Sequence, residues 1–255
     1  MIPSLFLAHG SPMLAIQEND YAKFLRELGS TYTPQAIVIF TAHWERETLT
    51  VTYTDDAYET IYDYYGFPEE MYQITYPAKG SKAIADKIIA RLQAGGIPVQ
   101  KDLKRGLDHG SWVLLQKMYP AANIPVIQVS VNPFLKGEEQ LKIGRCLQGL
   151  GLEDILIIGS GVTVHNLRIL NWDQTTPEPW AVQFDDWLLE KMQQGDLESL
   201  MQYDRLAPHA SLAVPRPEHF VPLLITLGSA GDEVCPQTIH RSYELGSLSY
   251  LSLAF

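Results

Sequence analysis

Ala36-Ile37-Val38-Ile39-Phe40-Thr41-Ala42-His43 is the stretch that decides how this chain folds. Residues 36–42 are dominated by apolar and β-branched side chains with no polar/apolar alternation. Such a run reads as a strand covered on both faces, the pattern of a largely parallel sheet. Working outward, runs of the same kind recur at residues 5–8, 49–53, 126–131, 155–159 and 248–253. Segments of helical period lie between them. Ser81 is placed to cap a helix whose Ile84, Ile88, Ile89 and Leu92 form one stripe, stopped by Gly95-Gly96 and Pro98. Trp180, Phe184, Trp187, Leu188 and Met192 repeat at three to four residues and read as a core-facing stripe rather than a cofactor box. The alternation predicts one α/β domain over residues 1–255: a central, largely parallel or mixed sheet flanked by helices, with the active site at the carboxyl ends of the strands. Segments 53–80 and 171–180, rich in Tyr, Pro, Gly and Asp, predict long surface loops suited to a rim or lid.

Charge narrows the function. Thirty acidic residues against 19 basic ones give a net charge of −11, and no run of Lys or Arg supplies the footprint that nucleic acid requires. No apolar stretch approaches the roughly 18–20 residues of a membrane span, and the apolar N-terminus lacks the basic region of a secretory signal. Cys146 and Cys235 lie outside any CxxC or CxxH pattern, which predicts a cytoplasmic protein with inert thiols rather than a disulfide framework. GxGxxG, GxxxxGK[ST] and GxSxG are all missing, so dinucleotide, P-loop and α/β-hydrolase readings lack their motifs. Chemistry on a small molecule is what remains.

The seven histidines carry the rest. His9 follows the first run and precedes Gly10-Ser11-Pro12. His43 follows the run 36–42, and His165 comes a few residues after the run 155–159 and its Gly-Ser-Gly turn. In open α/β sheets, groups at the carboxyl ends of strands converge on one crevice. His219, after Pro217-Glu218, opens a helix expected at 220–227. The positive end of the helix dipole there disfavours imidazolium and keeps the ring neutral, as a metal ligand must be. His109 sits in Asp108-His109-Gly110-Ser111 ahead of a helix expected at 112–118, with Asp108 either orienting it or capping that helix. His209 and His240 read as structural or surface residues, although His209 is close enough in sequence to the His219 loop to line a pocket. Position alone leaves two readings open, a shared metal and a set of separate hydrogen-bonded turn residues. Dispersed ligands of this kind differ from the close-spaced pairs of structural zinc sites and suggest a catalytic metal with open coordination positions.

At these residues the chain resembles the class III extradiol ring-cleavage dioxygenases, the LigB superfamily, and within it the 4,5-DOPA dioxygenase branch. The matching segments are Leu7-Ala8-His9-Gly10-Ser11-Pro12, Thr41-Ala42-His43-Trp44-Glu45, Ile61-Tyr62-Asp63-Tyr64-Tyr65-Gly66-Phe67-Pro68, Tyr76-Pro77-Ala78 and Leu107-Asp108-His109-Gly110-Ser111-Trp112. They continue through Gly159-Ser160-Gly161, His165-Asn166-Leu167-Arg168, Pro217-Glu218-His219-Phe220 and Gly246-Ser247-Leu248-Ser249, so the likeness runs from about residue 5 onward. The resemblance implies one non-haem metal held by His9, His43 and His219. It implies His165 as catalytic acid–base and, in a resting zinc form, as a fourth ligand, and His109 as a second active-site histidine touching substrate or oxygen. Fe(II) is expected for activity and Zn(II) as an alternative bound metal, with a catechol and O2 as reactants.

The wider superfamily uses two His and one Glu. The residues here leave Glu218 and His219 both open as the third ligand, and the branch-level likeness favours His219. His165-Asn166-Leu167-Arg168 follows the general members rather than the variant loop of plant betalain-pigment enzymes, which leaves the catechol open between DOPA and its relatives. With an ordinary value near ~6.5, His165 is suited to take a catechol proton at neutral pH. Two rival readings stand beside this one: a zinc-dependent hydrolase using the same residues, and a non-catalytic, Memo-like binding protein. Whether identical chains assemble is left open.

Overall fold

Ile37 in the deciding run pairs with Val126 on one side and Leu156 on the other, so the run is an interior strand. The computed structural model describes residues 1–231 and 236–255, and Cys235 falls outside them. The strands among the described residues are β1 (Leu5–Ala8), β2 (Ala36–Glu45), β3 (Leu49–Thr52), β4 (Val99–Asp102), β5 (Val126–Val131), β6 (Ile155–Gly161), β7 (Gln237–His240), β8 (Tyr243–Glu244), β9 (Leu248–Ser249) and β10 (Ser252–Ala254). Eight of them form one sheet in the order β4-β3-β5-β2-β6-β1-β10-β7, while β8 and β9 pair apart. The centre, β5-β2-β6-β1, is wholly parallel. The margins turn antiparallel where β3 meets β5 and where β10 lies between β1 and β7.

Successive side chains of a strand point to opposite faces, and both faces here are covered. Ile37, Ile39, Leu156 and Ile158 face one layer, packed with residues of α1 (Asp20–Thr31). Val38, Phe40, Ile127, Val129 and Ile157 face the other, where α2 (Lys82–Ala94) contributes Ile88 and Leu92. The first layer is completed by α3 (His109–Met118), and the second by Ile143 of α4 (Gly137–Arg145). On the β1–β10 side, Phe6 and Leu253 pack against Phe184 and Leu188 of α5 (Pro179–Gln193). Short helices α6 (Leu197–Met201), α7 (Tyr203–Leu206) and α8 (Ala210–Ala213) lead to α9 (Val221–Ala230), whose Leu223 and Leu224 pack in this cluster and whose Ile225 packs in the one beside α2. Each fully buried Leu, Ile or Val of these strands contributes about 1.5–3 kcal/mol to holding the sheet between its helices.

Several expected boundaries shift. β2 runs to Glu45, so His43 lies within the strand rather than after it; the ladder to β5 slips between Phe40 and Glu45. β6 continues to Gly161 because its pairing with β1 holds as far as Ala8↔Gly161. The run 248–253 is not one strand. Leu248 and Ser249 pair with β8, Ser249 Oγ accepts from the Leu251 N–H, and the chain then joins β1 as β10. Segment 53–80 is only partly surface: Tyr58, Met71, Tyr76 and Ala78 are buried, and Tyr58 Oη donates to the Val126 carbonyl. Two predicted features hold closely. Ser81 accepts from the Ile84 N–H at the start of α2, and Phe184, Leu188 and Met192 of the aromatic stripe are core.

Candidate metal centre

His9 follows β1 directly, and its N–H donates to the Gly161 carbonyl at the end of β6. Gly10 has φ +58°, and a Cβ there would lie 2.3 Å from the Tyr250 hydroxyl, so the turn after His9 requires glycine. His43 stands within the slip in β2, where Arg105 donates to its carbonyl and lies over the Trp44 ring. His219 closes a single 3-10 turn, Pro217–His219, just ahead of α9. Gly161 lets it come close: a Cβ at that position would sit 2.2 Å from the His219 carbonyl, which accepts from the Val162 N–H instead.

The three rings meet by their Nε2 atoms. His9 Nε2 is 3.1 Å from His43 Nε2, which is 3.3 Å from His219 Nε2. Two nitrogens each about 2.0–2.1 Å from one ion lie ~2.9 Å apart at a right angle and ~3.4 Å apart at the tetrahedral angle, so the spacing fits a shared ion.

The protons agree with that reading. Ser160 Oγ donates to the Gly110 carbonyl, so its contact with His9 Nδ1, at 3.0 Å, must be donated by the ring. His43 Nδ1 faces Asp63 Oδ2 at 3.3 Å, and His219 Nδ1 faces Glu218 Oε1 at 3.1 Å. Each neutral ring therefore spends its one N–H at Nδ1 and turns an Nε2 lone pair toward the other two. Three lone pairs within this distance repel unless a cation sits between them. Hydrogen-bonded partners behind metal-binding histidines are the usual means of fixing this tautomer.

Glu218 and His219, the two candidates for the third ligand, differ in where they point. His219 turns its Nε2 to the other histidines, and Glu218 stands behind it on Nδ1. His165 ligand atoms group with Glu218 and His219 rather than with the His9, His43 and His219 set. Its ring stacks on that of His219 at 3.6 Å between centroids, nearly parallel at 11°. His109 is the first residue of α3 rather than a residue ahead of it, and its ring centroid lies 4.0 Å from that of His43.

Asp108 occupies the N-cap position of α3 but does not orient His109. Its carboxylate accepts from Thr41 Oγ1 and Arg105 Nη2, and its side chain makes no cap bond to the helix. Asp63 orients His109 instead. Its Oδ1 accepts from both the backbone N–H, at 3.0 Å, and the ring Nδ1–H, at 2.9 Å. Tyr64, next to it, packs its ring edge-on to His109, whereas Tyr65 is 92% exposed. His209 is exposed and bonds Gln183, and His240 packs against Tyr21 and Phe24; neither joins the cluster.

Burial, then the neighbouring imidazoles, holds His9 and His219 well below the ordinary histidine value. For His219 burial, not the helix terminus, is the leading cause. His165 is also pulled down by burial first, to about 4, so it is a weaker base than its sequence suggested. Burial lowers His109 against the opposing pull of Asp63. Burial alone would raise the Asp63 carboxyl, but the N–H groups of His109 and His43 outweigh it and hold the group far below the carboxylate range. His9, His109, His165 and His219 are thus all biased toward the neutral imidazole, while Asp63 is held as a carboxylate.

Asp63 and Ser160 are the members that sequence reasoning did not single out, although both lie in segments that carry the resemblance. The family model for the catalytic LigB subunit of aromatic ring-opening dioxygenase matches residues 3–252. The chain is 41% identical to a 4,5-DOPA dioxygenase extradiol of Beta vulgaris, over 99% of this chain and 96% of that one. It is 40% identical to the protein of that name from Escherichia coli K12, over 99% and 94%. A crystal structure of an uncharacterized Escherichia coli K12 protein superposes with a TM-score of 0.85 at 36% identity, covering 100% of both chains. These likenesses do not favour the hydrolase or the binding-protein reading.

Proposed function

We propose, from the premise that this chain belongs to the LigB family and is an extradiol ring-cleavage dioxygenase, that the reaction takes place where His9, His43 and His219 converge and that Fe(II) is the working metal. The observation that carries this is the triangle of Nε2 lone pairs, each ring fixed from behind at Nδ1. Bound there, Fe(II) would supply the redox chemistry and the open coordination positions for a catechol and O2. Zinc suits the same nitrogens but has no redox chemistry, so zinc-loaded protein is expected to be inactive.

The chain's own groups account for the protons. His109 has its Nδ1–H committed to Asp63, so its Nε2 is free to accept a catechol hydroxyl proton. Once protonated, the same atom becomes a donor to the oxyanion left on the ring. His165, neutral at working pH and stacked along His219, is the second acid–base group. A substrate anion beside it raises its affinity for a proton above that of the empty site. Its ring lies outside the Nε2 triangle, and the acid–base role is the one we assign it. His9, His109 and His219, at 1%, 5% and 6% exposure, are themselves largely shielded from bulk water.

The substrate class is a catechol, and DOPA, named for the relatives, is the first compound to test. Residues 1–255 act as one catalytic domain in this proposal. No helix among the described residues is long and apolar enough to cross a membrane, and a cytoplasmic setting is part of the proposal. The test is anaerobic Fe(II) loading followed by catechol and air in an oxygen electrode, with DOPA, caffeate and protocatechuate as substrates. Oxygen uptake with a coloured ring-opened product is expected. No uptake with any catechol would sink the proposal, and ester or amide hydrolysis persisting under argon would revive the hydrolase.

A further inference from the structure

Asp63 lies on the segment joining β3 to α2, with its side chain a quarter exposed, at 25%. Its two oxygens divide their work between two elements. Oδ1 takes both N–H groups of His109, the first residue of α3, and Oδ2 faces Nδ1 of His43 near the end of β2. The other two histidines of the triangle have orienting groups of their own, Ser160 and Glu218. His43 and His109 share one.

We propose that Asp63 is a positioning residue that fixes the ring tautomers of His43 and His109 together, so that one carboxylate prepares both a metal ligand and an acid–base group. This rests on the metal reading above. An ionised carboxylate only accepts, so both rings must present Nδ1–H to it, and both are left with an Nε2 lone pair.

An amide in the same place could not do this. In Asp63→Asn the amide oxygen takes the Oδ1 position, where two N–H groups require an acceptor. The amide NH2 then faces His43 Nδ1, which can meet it only as an acceptor. The His43 proton moves to Nε2, aimed at the nitrogens of His9 and His219, and the ring ceases to be a ligand. In Asp63→Ala no donor is imposed, and at this partly exposed position water can accept from both rings. The isosteric substitution is therefore the more damaging of the two for metal binding, the reverse of what a space-filling role gives.

Two measurements test this. In metal-free protein labelled with 15N-histidine, long-range 1H–15N correlations report each tautomer. His43 and His109 are both expected as Nδ1–H in the native chain, and His43 as Nε2–H in Asp63→Asn. Either ring found as Nε2–H in the native chain overturns the assignment, with no variant needed. Zn(II) and Co(II) affinities are then measured by competition with a chromophoric chelator. Asp63→Asn is expected to lose about 10–100-fold or more, and Asp63→Ala less. An Asn variant that binds as tightly as the native chain, or more tightly than the Ala variant, overturns it. If the native chain binds neither ion, the metal reading fails and takes the ligand role of His43 with it. The tautomer spectrum distinguishes that failure from a wrong assignment of Asp63.

Discussion

On one side of the crevice, His9 and His219 take their orientation from Ser160 in the middle of the sheet and from the adjacent Glu218. On the other, His43 and His109 both lean on a carboxylate delivered by residues 53–80. The first pair is held by groups that cannot move unless β6 or the α9 entrance moves. The second can lose its orientation through a shift of one segment while the strands stay folded. In the proposed centre, affinity for a metal would thus have a part set by the core and a part set by a peripheral segment.

The comparison breaks most visibly at the proposed ligands. His9→Ala or His219→Ala should leave a folded protein with no measurable stoichiometric metal and no oxygen uptake, read by elemental analysis and electrode. His109→Ala should keep the metal yet lose turnover by about 10²–10³-fold, since it removes a donor to the reacting oxygens. If it lost the metal too, the two sides would be one unit. Next in size are the supports of the first side: Glu218→Gln should weaken metal binding by about 10–100-fold, and Ser160→Ala by no more than that.

Metal at 100-fold over its Kd should stabilise the native chain by about 2.7 kcal/mol, equivalent to a Tm rise of roughly 5–10 °C, reversed by chelator. Hydrogen exchange should then slow chiefly in residues 53–80, with β6 already protected. Equal slowing in both would erase the distinction drawn here.

The smallest effect concerns Asp185, a fully buried group of α5, which accepts from Ser249 Oγ and Tyr243 Oη. Burial raises this carboxyl in spite of those bonds. A carboxyl whose folded value lies above its unfolded value of ~3.9 costs nothing below that pH and weakens the fold as pH rises through the folded value. Asp185→Asn should therefore gain stability relative to the native chain between pH 4 and pH 7, measured by urea unfolding at both. An unchanged or shrinking difference would contradict the raised value.

What was legible in the sequence follows the same division. His9, His43 and His219 could be found because each stands beside an element with a clear period, and parallel strands bring their carboxyl ends together. β1 and β5 were found to the residue for the same reason. Asp63 could not be, because its partners lie 20 and 46 residues away and its segment has no period to place it. β4, with Gln100, Lys101 and Asp102, and β7, with Gln237, Thr238 and His240, are edge strands too polar to announce themselves. The end of β2 was misjudged because the slip past Phe40 depends on its neighbour β5 and on no residue of β2 alone. The weak basicity of His165 depends on burial, which only the assembled fold supplies.

The pairing of β1 with β6 carries a consequence in time. His9 and Ser160 are 151 residues apart, so a ribosome adding about 5–20 residues per second makes the first imidazole roughly 8–30 s before the hydroxyl that orients it. During that interval β1 has neither β6 nor β10 beside it, and its apolar edge must be shielded by something other than its own sheet. In the proposed centre, ion capture would have to wait for His219, made 210 residues after His9.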